Sequence, residues 1–125
     1  VISGHVGGKN DWDAPPAGLG SQRLLTWTRI RELAEQGIEI GAHTRTHPDL
    51  RRLSESEIEE EIAGCCFEIS DRIGQPVENF AYPYGYLNRQ AEEVVQRTMT
   101  SACTTELRRT NDDPLHLLPR VDMYY

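Results

Sequence analysis

The sequence has no apolar run approaching the about 20 residues that a membrane-crossing helix needs, and no internal repeat or low-complexity stretch. Cations are in the minority: 13 Lys and Arg stand against 20 Asp and Glu, a formal charge of −7. That balance argues against non-specific nucleic-acid binding, in which cations displace phosphate counterions. Cysteine is scarce, with three in the chain. Cys65 and Cys66 are adjacent, and neighbours on one helix point in different directions, so they form no disulfide staple. A CxxC pair for zinc or redox chemistry is absent. Cysteines used as small buried residues lean towards a reducing compartment. The chain opens on the apolar Val1-Ile2-Ser3 without a Met. This reads as a cut inside a domain, so a targeting segment of any parent protein lies outside the reading.

What is present is a single-domain length of 125 residues, 38% hydrophobic and 26% charged, ordinary for a soluble globular chain. Residues 1–3 read as the end of a strand. Gly4 to Gly20 is a long loop carrying Gly7-Gly8, Asn10, Pro15-Pro16, Gly18 and Gly20, a length more often functional or mobile than a plain connector. Trp27, Ile30, Leu33 and Ala34 then recur at helical spacing, with Thr26 as cap and Gly37 just past the end. Ile38–Ala42 reads as a short strand. Ser54 and Glu57 form a capping box. The helix it opens carries Ile58, Ile62, Cys65 or Cys66, Ile69 and Ile73 on one stripe, with Glu59, Glu60 and Glu61 on a solvated face. Gly74 closes it and Pro76 prevents its resumption. VENFA is a second strand. Asn88 caps a third helix with Ala91, Val94 and Val95 inward, and SACTT and LLPRVDM are further strands. Strands alternating with helices imply an α/β chain with a parallel sheet or barrel. About three helices are few to cover both faces of such a sheet, which suggests that an N-terminal part of the fold lies outside this chain.

His43-Thr44-Arg45-Thr46-His47-Pro48 is the strongest local signal. Two imidazoles four residues apart can share one metal ion, as in HExxH helices. Here Thr44 stands where the Glu would be, and the proline pushes His47 out of helical geometry. The pair is therefore placed in the turn leaving Ile38–Ala42, at the C-terminal end of a buried strand, where barrel active sites lie. The bland alternative is two hydrogen-bonded surface histidines. A catalytic zinc normally takes three protein ligands, and no convincing third is evident. His5 and His116 read as ordinary exposed side chains. Asp11, Asp13, Asp49 and Asp122 have no supporting spacing. Phe80-Ala81-Tyr82-Pro83-Tyr84-Gly85 follows the second strand. A rigid Pro-Gly turn there could present a backbone N–H to a developing oxyanion, or could simply hold two packing tyrosines.

Together the two motifs resemble the polysaccharide deacetylase family, the NodB-homology domain. HTRTH-Pro is similar to that family's H-[ST]-x-x-H motif, and FAYPYG to its third motif, usually close to FRPPYG. The similarity covers nearly the whole chain. It implies a partial, distorted (β/α) barrel over residues 1–125 with the first strand missing. It also implies one divalent ion, zinc first with cobalt or nickel as alternatives, and hydrolysis of acetyl groups from N-acetylated sugars of a polysaccharide or cell-surface glycan. His43 and His47 match the two metal-binding histidines. Tyr84 matches the residue whose backbone N–H holds the oxyanion, with Tyr82, Pro83 and Gly85 around the substrate. Ala81 stands where many members carry an Arg that orients the catalytic Asp, so that supporting role is empty. The motif T-F-D-D-G, which supplies the base and the third ligand in the family, is absent, and the late Leu-x-His motif has no clear match. The competing expectation is a catalytically incomplete glycan-binding or degenerate module. The expected partners are an N-acetylated glycan and, through an exposed sheet edge, a second copy of the chain; no nucleic acid and no membrane segment are expected.

Overall fold

The computed structural model describes residues 1–12 and 20–121. Asp13 and Asp122, two of the acids singled out above, lie outside the described residues.

Helix α1 (Trp27–Glu35) starts where Thr26 accepts the Arg29 N–H at 3.4 Å, and buries Ile30 and Ala34. The capping box is formed: Ser54 Oγ accepts the Glu57 N–H, and the Glu57 carboxylate accepts the Ser54 N–H at 2.8 Å. It opens α2 (Glu55–Glu59), which runs through a π-helical turn, Glu60–Gly64, into α3 (Cys65–Ile73). The stripe survives that wide turn, because Ile58, Ile62, Cys65, Ile69 and Ile73 are all buried. Gly74 ends the helix in the left-handed region at φ 70°, where a residue without Cβ carries no steric penalty. Asn88 caps α4 (Arg89–Thr98) by accepting the Ala91 N–H at 2.9 Å, and α4 buries Ala91, Val94 and Val95.

The strands β1 (Asn79–Ala81), β2 (Ser101–Leu107) and β3 (Leu118–Arg120) form a parallel sheet in the order β1-β2-β3. Pro119 is tolerated because β3 lies at the end of that order, where a missing N–H costs no ladder bond. The strand expected over residues 38–42 is reduced to one parallel bridge, Ala42 with Phe80. The reason is the partner's length: β1 has three residues, so the chain before Ala42 finds no ladder to join, and Ile38 is left 53% exposed. Val1 extends the layer beyond Ala42. Its nitrogen donates to Gly41 O at 2.6 Å and its carbonyl accepts the His43 N–H at 2.9 Å. The chain then leaves the sheet through a 3-10 turn, Ser3–His5.

Ala42, Phe80 and Ala102 face the helices and join their apolar residues in one core. Residues alternate sides along a strand, so Gly41, His43, Asn79, Ala81 and Cys103 face the other way and, with Arg120, line an open cavity of about 480 Å³. The chain is thus α/β, with a parallel sheet covered by helices on one face among the described residues.

Candidate metal centre and oxyanion turn

The site is assembled where adjacent parallel segments end. Ala42 and Phe80 are bridged in register, so the residues that follow them, His43–His47 and Tyr82–Gly85, leave the layer on the same side. His43, Tyr82 and Tyr84 line the same cavity. The ring nitrogens Nε2 of His43 and His47 are 3.1 Å apart. Two nitrogens bound to one tetrahedral zinc at about 2.0–2.1 Å lie about 3.3–3.4 Å from each other. The separation therefore suits a shared ion, and it equally suits an N–H···N bond between the rings.

His43 has the properties of a ligand. Its Nδ1 lies 2.6 Å from Ala81 O. A carbonyl only accepts, so Nδ1 carries the hydrogen and Nε2 presents its lone pair towards His47. Burial lowers the His43 pKa to about 4, against the raising effect of the Ala81 bond, so the ring is neutral at pH 7. Neutral imidazole is the form that binds metal.

The loop between the histidines is bent by two residues in the left-handed region, Thr44 at φ 63° and His47 at φ 62°. For a β-branched threonine this is an outlier, costing on the order of 1–3 kcal/mol, and the surroundings hold it there. Thr44 is fully buried. Its hydroxyl donates to His43 O at 2.6 Å and accepts the His47 N–H at 3.0 Å. Its carbonyl accepts the Ser3 N–H at 3.3 Å and the Cys65 thiol at 3.1 Å. His47 therefore lies outside right-handed helical geometry, the region that the following proline disfavours.

The second turn is built from below. Tyr82 is fully buried, with its ring edge-on to Phe80 and its hydroxyl donating to His116 O at 3.1 Å, and Pro83 is buried beside it. Tyr84 then takes φ 57° and ψ 4°, its carbonyl accepts the Thr105 hydroxyl at 3.1 Å, and its ring meets that of His47 edge-on at 4.6 Å. Gly85 is at φ 71°, and a Cβ there would sit 2.1 Å from Thr105 Oγ1.

The other candidates separate. His5 is not an isolated surface residue: its ring packs on Trp12 at 4.8 Å, and Trp12 packs on His47 at 5.8 Å. On the far side Tyr86 lies 5.7 Å from Tyr84, with the Arg51 guanidinium 3.7 Å over its ring. Sequence reasoning missed this aromatic rim, because no spacing links Trp12 to His47. His116 lies at the opposite end of the sheet, 3.1 Å from Met99 O just ahead of β2, and cannot join the pair. Asp49 is engaged by Arg51 at 2.8 and 2.9 Å, which holds its pKa down to about 2. Among the described residues, no group of three His, Cys, Asp or Glu could hold a metal ion. Glu60 and Glu61 correct the sequence reading. They do not form a merely solvated face: Glu60 pairs with Arg45, and Glu61 accepts hydrogen bonds from the histidine loop.

The parallel α/β layer thus presents the paired histidines and the left-handed Tyr84 turn at one end, on a shared cavity. The polysaccharide deacetylase family model matches residues 1–102, and the chain belongs to that family. The putative polysaccharide deacetylase YxkH of Bacillus subtilis is 27% identical over 105 residues, covering 82% of this chain and 38% of its own. The Streptococcus pyogenes deacetylase PplD, solved in complex with acetate, superposes with a TM-score of 0.75 at 25% identity, over 82% of this chain and 46% of its own. IcaB from Ammonifex degensii shares the fold, with a TM-score of 0.78 at 22% identity over 96% of this chain and 53% of its own. The chain thus spans from under two fifths to about half of the length of these relatives.

Proposed function

We propose that this chain carries the histidine pair and oxyanion turn of a metal-dependent amide hydrolase that removes acetyl groups from N-acetylated sugars of a polysaccharide or cell-surface glycan. The 3.1 Å approach of the two Nε2 atoms, beside the Tyr84 turn, carries the reading. A divalent ion held by His43 and His47, zinc first with cobalt or nickel as alternatives, would supply Lewis acidity towards the acetamide carbonyl. His43 enters neutral, with its lone pair aimed by the Ala81 carbonyl. The Tyr84 N–H is assigned as hydrogen-bond donor to the carbonyl oxygen as it gains charge, and the turn is held by the buried Tyr82 and Pro83 and by the Thr105 hydroxyl. Tyr82, Pro83 and Gly85 contribute by shaping that turn at the substrate's edge. The family resemblance assigns the base and a third ligand to an Asp pair in a T-F-D-D-G segment that this sequence does not contain. The partial barrel and a weak hold on the ion belong to the same proposal.

The test is zinc titration calorimetry together with an acetate-release assay on chitin oligomers with added zinc or cobalt. We expect weak zinc binding by the chain, lost in His43→Ala and His47→Ala, with little or no acetate released. Zinc binding unchanged in the double variant would overturn the metal site. Robust turnover abolished by His43→Ala would show that a base lies within these 125 residues.

A further inference from the structure

The loop Thr44–His47 has a supply problem. Its left-handed residues take it out of both helix and sheet, so its N–H groups need partners that regular structure does not provide. The helix packed beneath it supplies them. Glu61 Oε2 accepts the Arg45 N–H at 2.8 Å and the Thr46 N–H at 2.9 Å, and Oε1 accepts the Thr46 hydroxyl at 2.7 Å. Four residues on, Cys65 donates its thiol to Thr44 O at 3.1 Å. One helix edge therefore offers an acceptor to the loop's donors and a donor to its carbonyl. The Arg45 side chain is held by Glu60 and lies 3.8 Å from Glu68. The two carboxylates that engage the loop first, Glu60 and Glu61, both lie on the π turn Glu60–Gly64. A wider turn shifts side chains out of α-helical phase, and such turns recur at functional sites.

We propose that Glu61 is a positioning residue for the imidazole pair: through its three bonds to Arg45 and Thr46 it fixes the loop so that His43 and His47 converge. The proposal rests on reading those histidines as metal ligands. The bonds are charge-assisted, and all three fall on the two residues immediately before His47. His43 is already held by Ala81 and Val1. His47 is held at its N–H by the Thr44 hydroxyl and at its ring by Trp12 and Tyr84, and Glu61 fixes the backbone of the two residues that lead into it.

The test uses the whole chain and two readouts: zinc affinity by calorimetry, and the through-space contact between the two imidazoles by NMR without metal. Partners that orient metal ligands are commonly worth about 10–100-fold in metal affinity. In Glu61→Ala we expect a loss in that range and loss of the ring-to-ring contact. Glu61→Gln keeps an oxygen acceptor of the same reach and should restore much of both. Glu93→Ala, which removes the same charge from an exposed helix face, should leave both as in the wild type. A merely structural carboxylate would lower the melting temperature without moving either readout in the folded protein. A folded Glu61→Ala with ring contact intact and zinc affinity within about threefold would overturn the proposal. If Glu61→Ala does not fold, Thr46→Val, which removes the hydroxyl bond alone, should shift both readouts in the same direction, and no shift would overturn it. If the wild type takes up no zinc yet the ring contact depends on Glu61, the positioning role stands and the metal reading falls. Zinc bound through both histidines but indifferent to Glu61 sinks the positioning role alone.

Discussion

Three side chains in this site sit in backbone conformations that their type rarely adopts: Thr44, His47 and Tyr84. Each is held by bonds or ring contacts from other elements, which is how local strain persists. Two glycines separate the cost of a left-handed φ from the cost of a steric collision. Gly74, at φ 70°, has open space where a Cβ would be, whereas at Gly85 the new atom would lie 2.9 Å from Thr105 N and closer still to its hydroxyl. Gly74→Ala should cost about 1–2 kcal/mol. Gly85→Ala should cost about 2–4 kcal/mol, since collision adds to strain. Urea midpoints for the two variants check the order, and equal midpoints would mean that the Tyr84 turn yields. A titration can be read the same way. Arg108 contacts the two Asp113 oxygens at 2.6 and 2.9 Å and holds the Asp113 pKa down to about 2 from its ordinary 3.8. A depressed folded pKa means that the pairing contributes in full above the unfolded value and is lost as pH falls towards 2. Carboxyl-carbon NMR should place the Asp113 midpoint clearly below that of an unpaired aspartate, and an ordinary midpoint would remove the pairing.

The helix over residues 55–73 behaves as two faces with different duties. Its inner stripe packs the core: Ile62 is fully buried, while Phe67 is 76% exposed. Ile62→Ala should destabilise by about 2–5 kcal/mol, and Phe67→Ala should stay within about 0.5 kcal/mol. Thermal or urea unfolding of both variants checks this. A large loss at Phe67 would show that this side of the helix is covered in solution. The capping box, the stripe and the closing glycine were all legible in the sequence, because each depends on local spacing. The π turn was not, because a single wide turn leaves the apolar period almost intact. The role of Glu61 was hidden for a different reason: three consecutive glutamates read as a solvated face until a loop 15 residues upstream packs on them.

Among the described residues, helices cover one face of the sheet and leave the other lining an open cavity. Parallel sheets are ordinarily covered on both faces. Cysteine labelling would report which face is open. Cys65 is fully buried, its thiol pKa raised by burial, whereas Cys103 is half-buried and lines the cavity. Reactive thiols need both exposure and thiolate character. Iodoacetamide should therefore modify Cys103 well before Cys65, as peptide mass spectrometry would show. Protection of Cys103 that grows with protein concentration would instead indicate that a second copy covers the open face.

Much of this protein follows from short-range pattern: helix starts and stops, the strand before the tyrosine turn, the alternation that implies a parallel α/β sheet, and His43, His47 and Tyr84 as candidates. These depend on neighbours within a few residues, which a linear reading sees. Other features depend on segments far apart in the chain. The 3.1 Å meeting of the rings, the aim of His43 by Ala81, the contact of Trp12 with His47 and the grip of Glu61 on the loop each join residues through the fold. The strand at Ile38–Ala42 shrank for the same reason: an extended segment forms a ladder only as long as its partner, and β1 has three residues.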